Sequence, residues 1–223
     1  MALLNYKIHK IDDSYPWLTL VHGAGGSSTI WYKQIKPFIP HFNLLLVDFR
    51  GHGQSKYSKK IKTKYTFQAV SKDVMEVLDK ENIQKSHFAG ISLGTIIIRQ
   101  LAEDYPDRVQ SMIMGGAVMK LDFRSQLLMK LGVVFTSLLP YLVLYRLFAF
   151  IILPKKNHKA SRNLFIREAK KLYRKEFLRW FKLTSEINPL LKFFRNAELP
   201  IPTLYIMGEE DYLFLPSVKK IVD

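Results

Sequence analysis

Over its first 117 residues the chain alternates short, continuously apolar runs with amphipathic segments of helical period. Trp17–His22, Asn43–Asp48, Ser86–Gly90 and Val109–Gly115 are each four to seven residues long and are halted by Gly or Asp. Runs that are apolar on both faces suit buried parallel strands. Between them, Thr29–Ile39, Thr66–Glu81 and Leu93–Asp104 carry a helical pattern. That rhythm predicts an α/β fold with a mostly parallel, doubly wound sheet and flanking helices, in which chemistry sits beyond the carboxyl ends of the strands. After Gly115-Gly116 the rhythm breaks, and residues 118–198 read as helices inserted over the core as a lid. Pro200 and Pro202 then punctuate a return to strand at Thr203–Met207. The expected organisation is therefore a core over 1–117, a helical lid over 118–198 and a return to the core over 199–223.

A length of 223 residues is enough for one large α/β domain with a real core, and a 48% hydrophobic, 24% charged composition excludes disorder and low-complexity architectures. The absence of cysteine excludes a disulfide scaffold, a thiolate zinc site and a cysteine nucleophile. No charged segment followed by an apolar one opens the chain, so a cytoplasmic location is the default expectation. The formal charge of +15 is concentrated between Lys155 and Lys182, where eleven Lys and Arg face two acids, Glu168 and Glu176. Arg162–Lys182 reads as one amphipathic basic helix. It is either a solvated lid face or a surface that makes weak contact with an anionic membrane. Leu131–Leu153 has the length of a membrane span, but a mid-bilayer Arg146 would cost about 2.5–3.5 kcal/mol. A span there would also separate 1–117 from 203–207, which belong to one sheet. Two apolar lid helices broken near Pro140 are the better expectation. Nucleic-acid binding has no recognisable module behind it.

The sharpest chemical signal is Gly90-Ile91-Ser92-Leu93-Gly94, between an expected strand and an expected helix. A hydroxyl thrust from so tight a turn needs small residues two before and two after it, and it faces the free N–H groups of a helix N-terminus. Ser92 is thus a candidate nucleophile. His22-Gly23-Ala24-Gly25-Gly26 follows an earlier strand, and the amides of Ala24 and Leu93 together would form a two-donor oxyanion hole. His22, Gly23, Gly25, Gly90 and Gly94 are expected to shape these loops. Asp48–Ser55 reads as a loop held by its own polar side chains. Asp211, in Gly208-Glu209-Glu210-Asp211 beyond the last run, could supply a carboxylate, or merely cap a turn. No nucleotide motif and no metal-ligand cluster is visible, so no cofactor and no metal are expected.

These blocks, in this order, resemble the α/β-hydrolase fold family, in particular its lid-bearing serine esterase-like members. The resemblance implies a cap inserted after the sixth strand, Ser92 as nucleophile, Ala24 and Leu93 as the oxyanion hole, and Asp211 as the acid on a seventh strand's loop. It also implies a histidine after Asp211, and here the chain departs from the pattern. The histidines are His9, His22, His41, His52, His87 and His158, all before it. The expectation is a chain lacking its last strand and catalytic histidine, roughly 30–45 residues by ordinary element lengths. It would have an exposed sheet edge and little activity as given.

The implied activity is a serine hydrolase that cleaves a carboxylic ester, or less readily a thioester, amide or lactone, through an acyl-enzyme. The apolar lid, Leu127–Leu153 with Phe165, Phe177, Trp180 and Phe181, favours a small-molecule acyl substrate with an apolar acyl or alcohol moiety, although core packing alone also explains these residues. Carbon–carbon bond hydrolysis or lyase chemistry on the same fold stays open, as does a non-catalytic protein that binds membrane surfaces.

Overall fold

The computed structural model describes residues 4–57, 64–121, 126–127, 132, 135, 139–196 and 199–222. Six strands form one sheet in the order β1-β3-β2-β4-β5-β6. They are β1 (Asn5–His9), β2 (Trp17–Val21), β3 (Asn43–Asp48), β4 (Ser86–Ile91), β5 (Val109–Gly115) and β6 (Thr203–Ile206). All neighbours run parallel except β1, which lies antiparallel on β3. The parallel part is the doubly wound sheet expected. β1 was not anticipated: Asn-Tyr-Lys-Ile-His buries none of its residues fully at the edge, with Tyr6, Ile8 and His9 half-buried, so it lacks the continuous apolar signature of the others.

β3 shows why the sequence pattern works. All six of its residues are buried. Leu45 and Val47 join one core with Val21, Phe88 and the helices α2 (Phe67–Lys80) and α3 (Leu93–Asp104). Leu44 and Leu46 join a second core on the opposite face, with Leu18, Leu20 and Trp31, beside α1 (Tyr32–Phe38). Helix α2 begins at Thr66, whose hydroxyl accepts the Ala69 N–H at 3.0 Å and so satisfies one of the helix's free donors.

From β2 the chain crosses to β3 on one side and later to β4 on the other. The strand order therefore reverses between β2 and β4, and the loops after those two strands open into the crevice where such sheets place ligands.

The 118–198 segment carries no strand among its described residues. It contains α4 (Tyr141–Ile152), α5 (Lys159–Ala169), α6 (Arg174–Lys182) and α7 (Thr184–Asn196), and the chain closes with α8 (Leu215–Val222). Helix α4 starts directly after Pro140, where a break was expected; most of the helix expected before Pro140 lies outside the described residues. The single basic helix expected over Arg162–Lys182 is instead two. Residues 170–173 turn between α5 and α6, and Leu172 is buried against Tyr145 and Phe177. The turn lets both amphipathic helices bring their apolar sides to one small lid core.

Candidate active site

Ser92 caps α3 with φ 53° and ψ −117°, one of two described non-glycine residues at positive φ. Such a conformation costs about 1–3 kcal/mol and persists only where the surroundings impose it. Here they do. The Ser92 N–H donates to the Gly115 carbonyl at 2.9 Å, and the Ser92 carbonyl accepts from the Thr95 N–H at 2.8 Å. The turn closes because a Cβ on Gly94 would stand 2.7 Å from the His22 carbonyl oxygen, and one on Gly90 would stand 2.5 Å from Ile98 Cδ1. A Cβ on Gly23 would lie 2.9 Å from the Ile91 carbonyl oxygen, so the loop after β2 lies directly on the turn after β4. The Ser92 side chain makes no capping bond to its own helix. The amides of Ala24 and Leu93 have no hydrogen-bond partner among the described residues.

Ser92, Ala24 and Leu93 line one cavity of about 200 Å³, roofed by Tyr145, Phe177 and Trp180 of the lid. A second chamber of about 200 Å³ shares Ala24, Tyr145, Phe177 and Phe181 with it and runs on to Phe148 and Phe165. The space in front of Ser92 is therefore long, aromatic and apolar, as suits an apolar ligand portion. Phe165, Phe177 and Trp180 stand out in the sequence as the apolar arc of the basic Arg162–Lys182 segment, whereas Tyr145 and Phe148 are each one apolar residue in the apolar Leu131–Leu153 stretch.

Two buried histidines brace the floor. His22 Nδ1–H donates to the Gly23 carbonyl at 2.7 Å, and its Nε2 accepts the Phe49 N–H at 3.0 Å. His52 Nδ1–H donates to the Arg50 carbonyl at 3.0 Å, and its Nε2 accepts the Gly25 N–H at 3.1 Å. Burial holds both neutral, lowering His22 to about 4 and His52 to about 3. His52 lines the cavity, yet both its nitrogens are engaged. Sequence reasoning missed this brace: His52 lay in a loop read only as self-supporting.

That loop does hold itself. The Asp48 carboxylate accepts the Ser28 and Gln54 amides at 2.7 and 2.9 Å, and Arg50 is ion-paired in the interior with Asp73. It also holds the lid, because Trp180 Nε1–H donates to the Arg50 carbonyl at 2.8 Å.

Asp211 follows β6 at the strand's carboxyl end. Its Oδ1 accepts the Leu213 and Phe214 amides at 3.1 and 2.9 Å, which is the turn-capping arrangement, and it does not line the cavity of Ser92. The lid's His158 reaches the same loop but pairs with Glu210 at 2.9 Å. Lys155, Asn157 and His158 all donate to Glu210, and these contacts hold its carboxyl down at about 2. Among the described residues no group of three His, Asp or Glu is placed to hold a metal ion.

The profile of the alpha/beta hydrolase fold family matches residues 16–132. A putative carbamate hydrolase, RutD, from Agrobacterium fabrum is 30% identical over 139 residues, which is 58% of this chain and 52% of that protein. An enol-lactonase, 3-oxoadipate enol-lactonase 1 from Acinetobacter baylyi, is 28% identical over 109 residues, covering 49% of this chain and 40% of its own length. The chain thus spans about half the length of such relatives or less. Among solved structures, a hydrolase from Pseudomonas aeruginosa superposes with a TM-score of 0.79 at 22% identity, covering 98% of this chain and 81% of the other.

Proposed function

The chain belongs to the alpha/beta hydrolase family, and from that premise we propose that Ser92 is the nucleophile of a serine hydrolase acting on esters with an apolar acyl or alcohol group. The observation that carries this reading is the strained turn at Ser92, opposite two unpartnered amides in an apolar cavity. Ser92 Oγ attacks the ester carbonyl carbon, and the N–H groups of Ala24 and Leu93 stabilise the oxyanion that develops. The carbon–oxygen bond to the alcohol then breaks, the alcohol leaves with a proton, and water releases the acid from the acyl-serine. The first step needs an acceptor for the hydroxyl proton. Of the six histidines only His52 lines the cavity, and both its nitrogens are engaged; His22 is saturated too and His158 is bound through Nε2 to Glu210, so the 223 residues by themselves should turn over slowly. Asp211 is proposed as the carboxylate that orients an imidazole at this site.

Free imidazole supplies the test. Nitrophenyl ester hydrolysis by the chain should be low and should rise saturably with added imidazole, beyond the imidazole-only rate. The increment should disappear in Ser92→Ala. An increment that survives the substitution contradicts the reading, and turnover of a diketone panel with inert esters would move the reaction to carbon–carbon cleavage.

A second contact is proposed for the lid's outer face. Val143, Leu147 and Phe150 fall on one stripe of α4 and are 38, 50 and 55% exposed, with exposed Arg146 among them and the Arg162 guanidinium over the Phe150 ring at 4.6 Å. An apolar stripe that carries the exposed cation Arg146 fits an anionic lipid surface; Arg162 itself is buried and bonded to the Leu153 and Lys155 carbonyls. No helix among the described residues is long and apolar enough to cross a membrane.

A further inference from the structure

Of the residues the two chambers share, Ala24, Tyr145, Phe177 and Phe181, only Tyr145 carries a polar side-chain atom. Tyr145 lines both, is only 6% exposed, and has its ring fixed against Phe165 and Phe177 at centroid distances of 5.1 and 5.4 Å. Its hydroxyl stands so close over the loop after β2 that a Cβ on Gly25 would overlap it, so glycine is required there for the lid to seat. Yet the hydroxyl has no hydrogen-bond partner among the described residues. The neighbouring Tyr141 is satisfied, donating to the Leu172 carbonyl at 2.9 Å. The Tyr145 oxygen is not among the fully buried polar atoms that lack a partner, so it keeps access to the chambers it lines, where a ligand oxygen or water can accept its hydrogen bond. The remaining lid residues of both chambers are hydrocarbon or aromatic, so this oxygen is the polar mark on an otherwise apolar wall.

Resting on the reading of the Ser92 cavity as the substrate site, we propose that the Tyr145 hydroxyl is a specificity group that donates a hydrogen bond to a second acceptor on the substrate. That acceptor is a keto, ether or amide oxygen carried outside the scissile group. The scissile oxygen already has the Ala24 and Leu93 amides; Tyr145 stands at the passage into the second chamber, where the remainder of a long substrate must run. The site therefore prefers oxygenated chains to plain hydrocarbon chains of the same shape.

Binding of an unreactive pair tests this without requiring catalysis. Benzylacetone and butylbenzene have closely similar shapes and differ by a carbonyl oxygen, and quenching of Trp180, which lines the first chamber, reports occupancy. Tyr145→Phe should weaken benzylacetone by roughly five- to tenfold, the range of one hydrogen bond, and leave butylbenzene unchanged. Its melting temperature should equal that of the parent, because no protein partner is lost. Unchanged ketone binding, equal losses for both ligands, or a variant that melts lower or fails to fold each overturn the proposal. Ser92→Ala should keep the full discrimination. Loss of ester turnover with discrimination intact would therefore remove only the catalytic reading, and the converse would remove only this one.

Discussion

At Ser92 the backbone itself favours a residue without Cβ, and a side chain is kept there against that preference. Ser92→Gly should accordingly be more stable than Ser92→Ala, by about 1 kcal/mol in chemical denaturation, while neither reacts with an active-serine probe. Gly94 has the opposite constraint. Its missing Cβ would stand 2.7 and 2.9 Å from the carbonyl oxygens of His22 and Val21, so Gly94→Ala must push β2 away from the turn. A loss of about 1–3 kcal/mol follows, read as a lowered denaturation midpoint. His22 and His52 add a pH dependence. Both have folded values below the ordinary 6.5, at about 4 and 3, so they bind protons in the unfolded chain first. Their neutral hydrogen bonds to the backbone stabilise the fold fully above pH 6.5, and that contribution falls as pH drops from there through about 4 for His22 and about 3 for His52. Denaturant midpoints measured from pH 7.5 to 4.5 should decline over that window, and His52→Asn should flatten part of the decline.

The lid elements are tied to the core at both ends of the site. Trp180 of α6 hangs on the Arg50 carbonyl, while Tyr212 in the loop after β6 donates to the Ile151 carbonyl at the end of α4 and Glu210 of the same loop holds Lys155 in the segment that follows. Trp180→Phe keeps most of the packing but deletes the first tie. It should cost about 1 kcal/mol and speed amide exchange across 174–182 more than in α2. Uniform exchange changes would mean the lid is not an independent unit. On the outer side of α4, a Leu147→Glu, Phe150→Glu double variant should lose co-sedimentation with anionic vesicles, and the parent should lose it in high salt. Parent binding that persists in high salt, or equal binding to zwitterionic vesicles, would contradict the electrostatic part of that contact. These ties were not legible in the sequence. They join Arg50 to Trp180 and Lys155 to Glu210, pairs far apart in the chain, and a helical wheel shows only which side of α6 is apolar. The same limit explains the merged reading of α5 and α6, since the basic, helix-favouring composition continues across the turn at 170–173 and only the burial of Leu172 against Tyr145 reveals the bend.

For the whole molecule, the parallel sheet was legible because β2, β3 and most of β4 are buried on both faces and β5 buries one face, and apolar runs ending in Gly or Asp are the direct mark of that burial. β1 was not, being a half-exposed edge. β6 was legible as a strand, though it now lies at the sheet's other edge with Leu204 and Ile206 each 56% exposed. The meeting of Gly23, Ala24 and Ser92 was legible in part, since a reversal of strand order brings the relevant loops together, but the lid's contribution through Tyr145 required coordinates. The most direct test of the account is the intact mass of the folded chain after treatment with an alkyl phosphonate active-serine probe in the presence of imidazole. The account predicts a single adduct mapped to the peptide containing Ser92 and absent from Ser92→Ala. A well-folded chain that remains unmodified, or an adduct unaffected by that substitution, would contradict it.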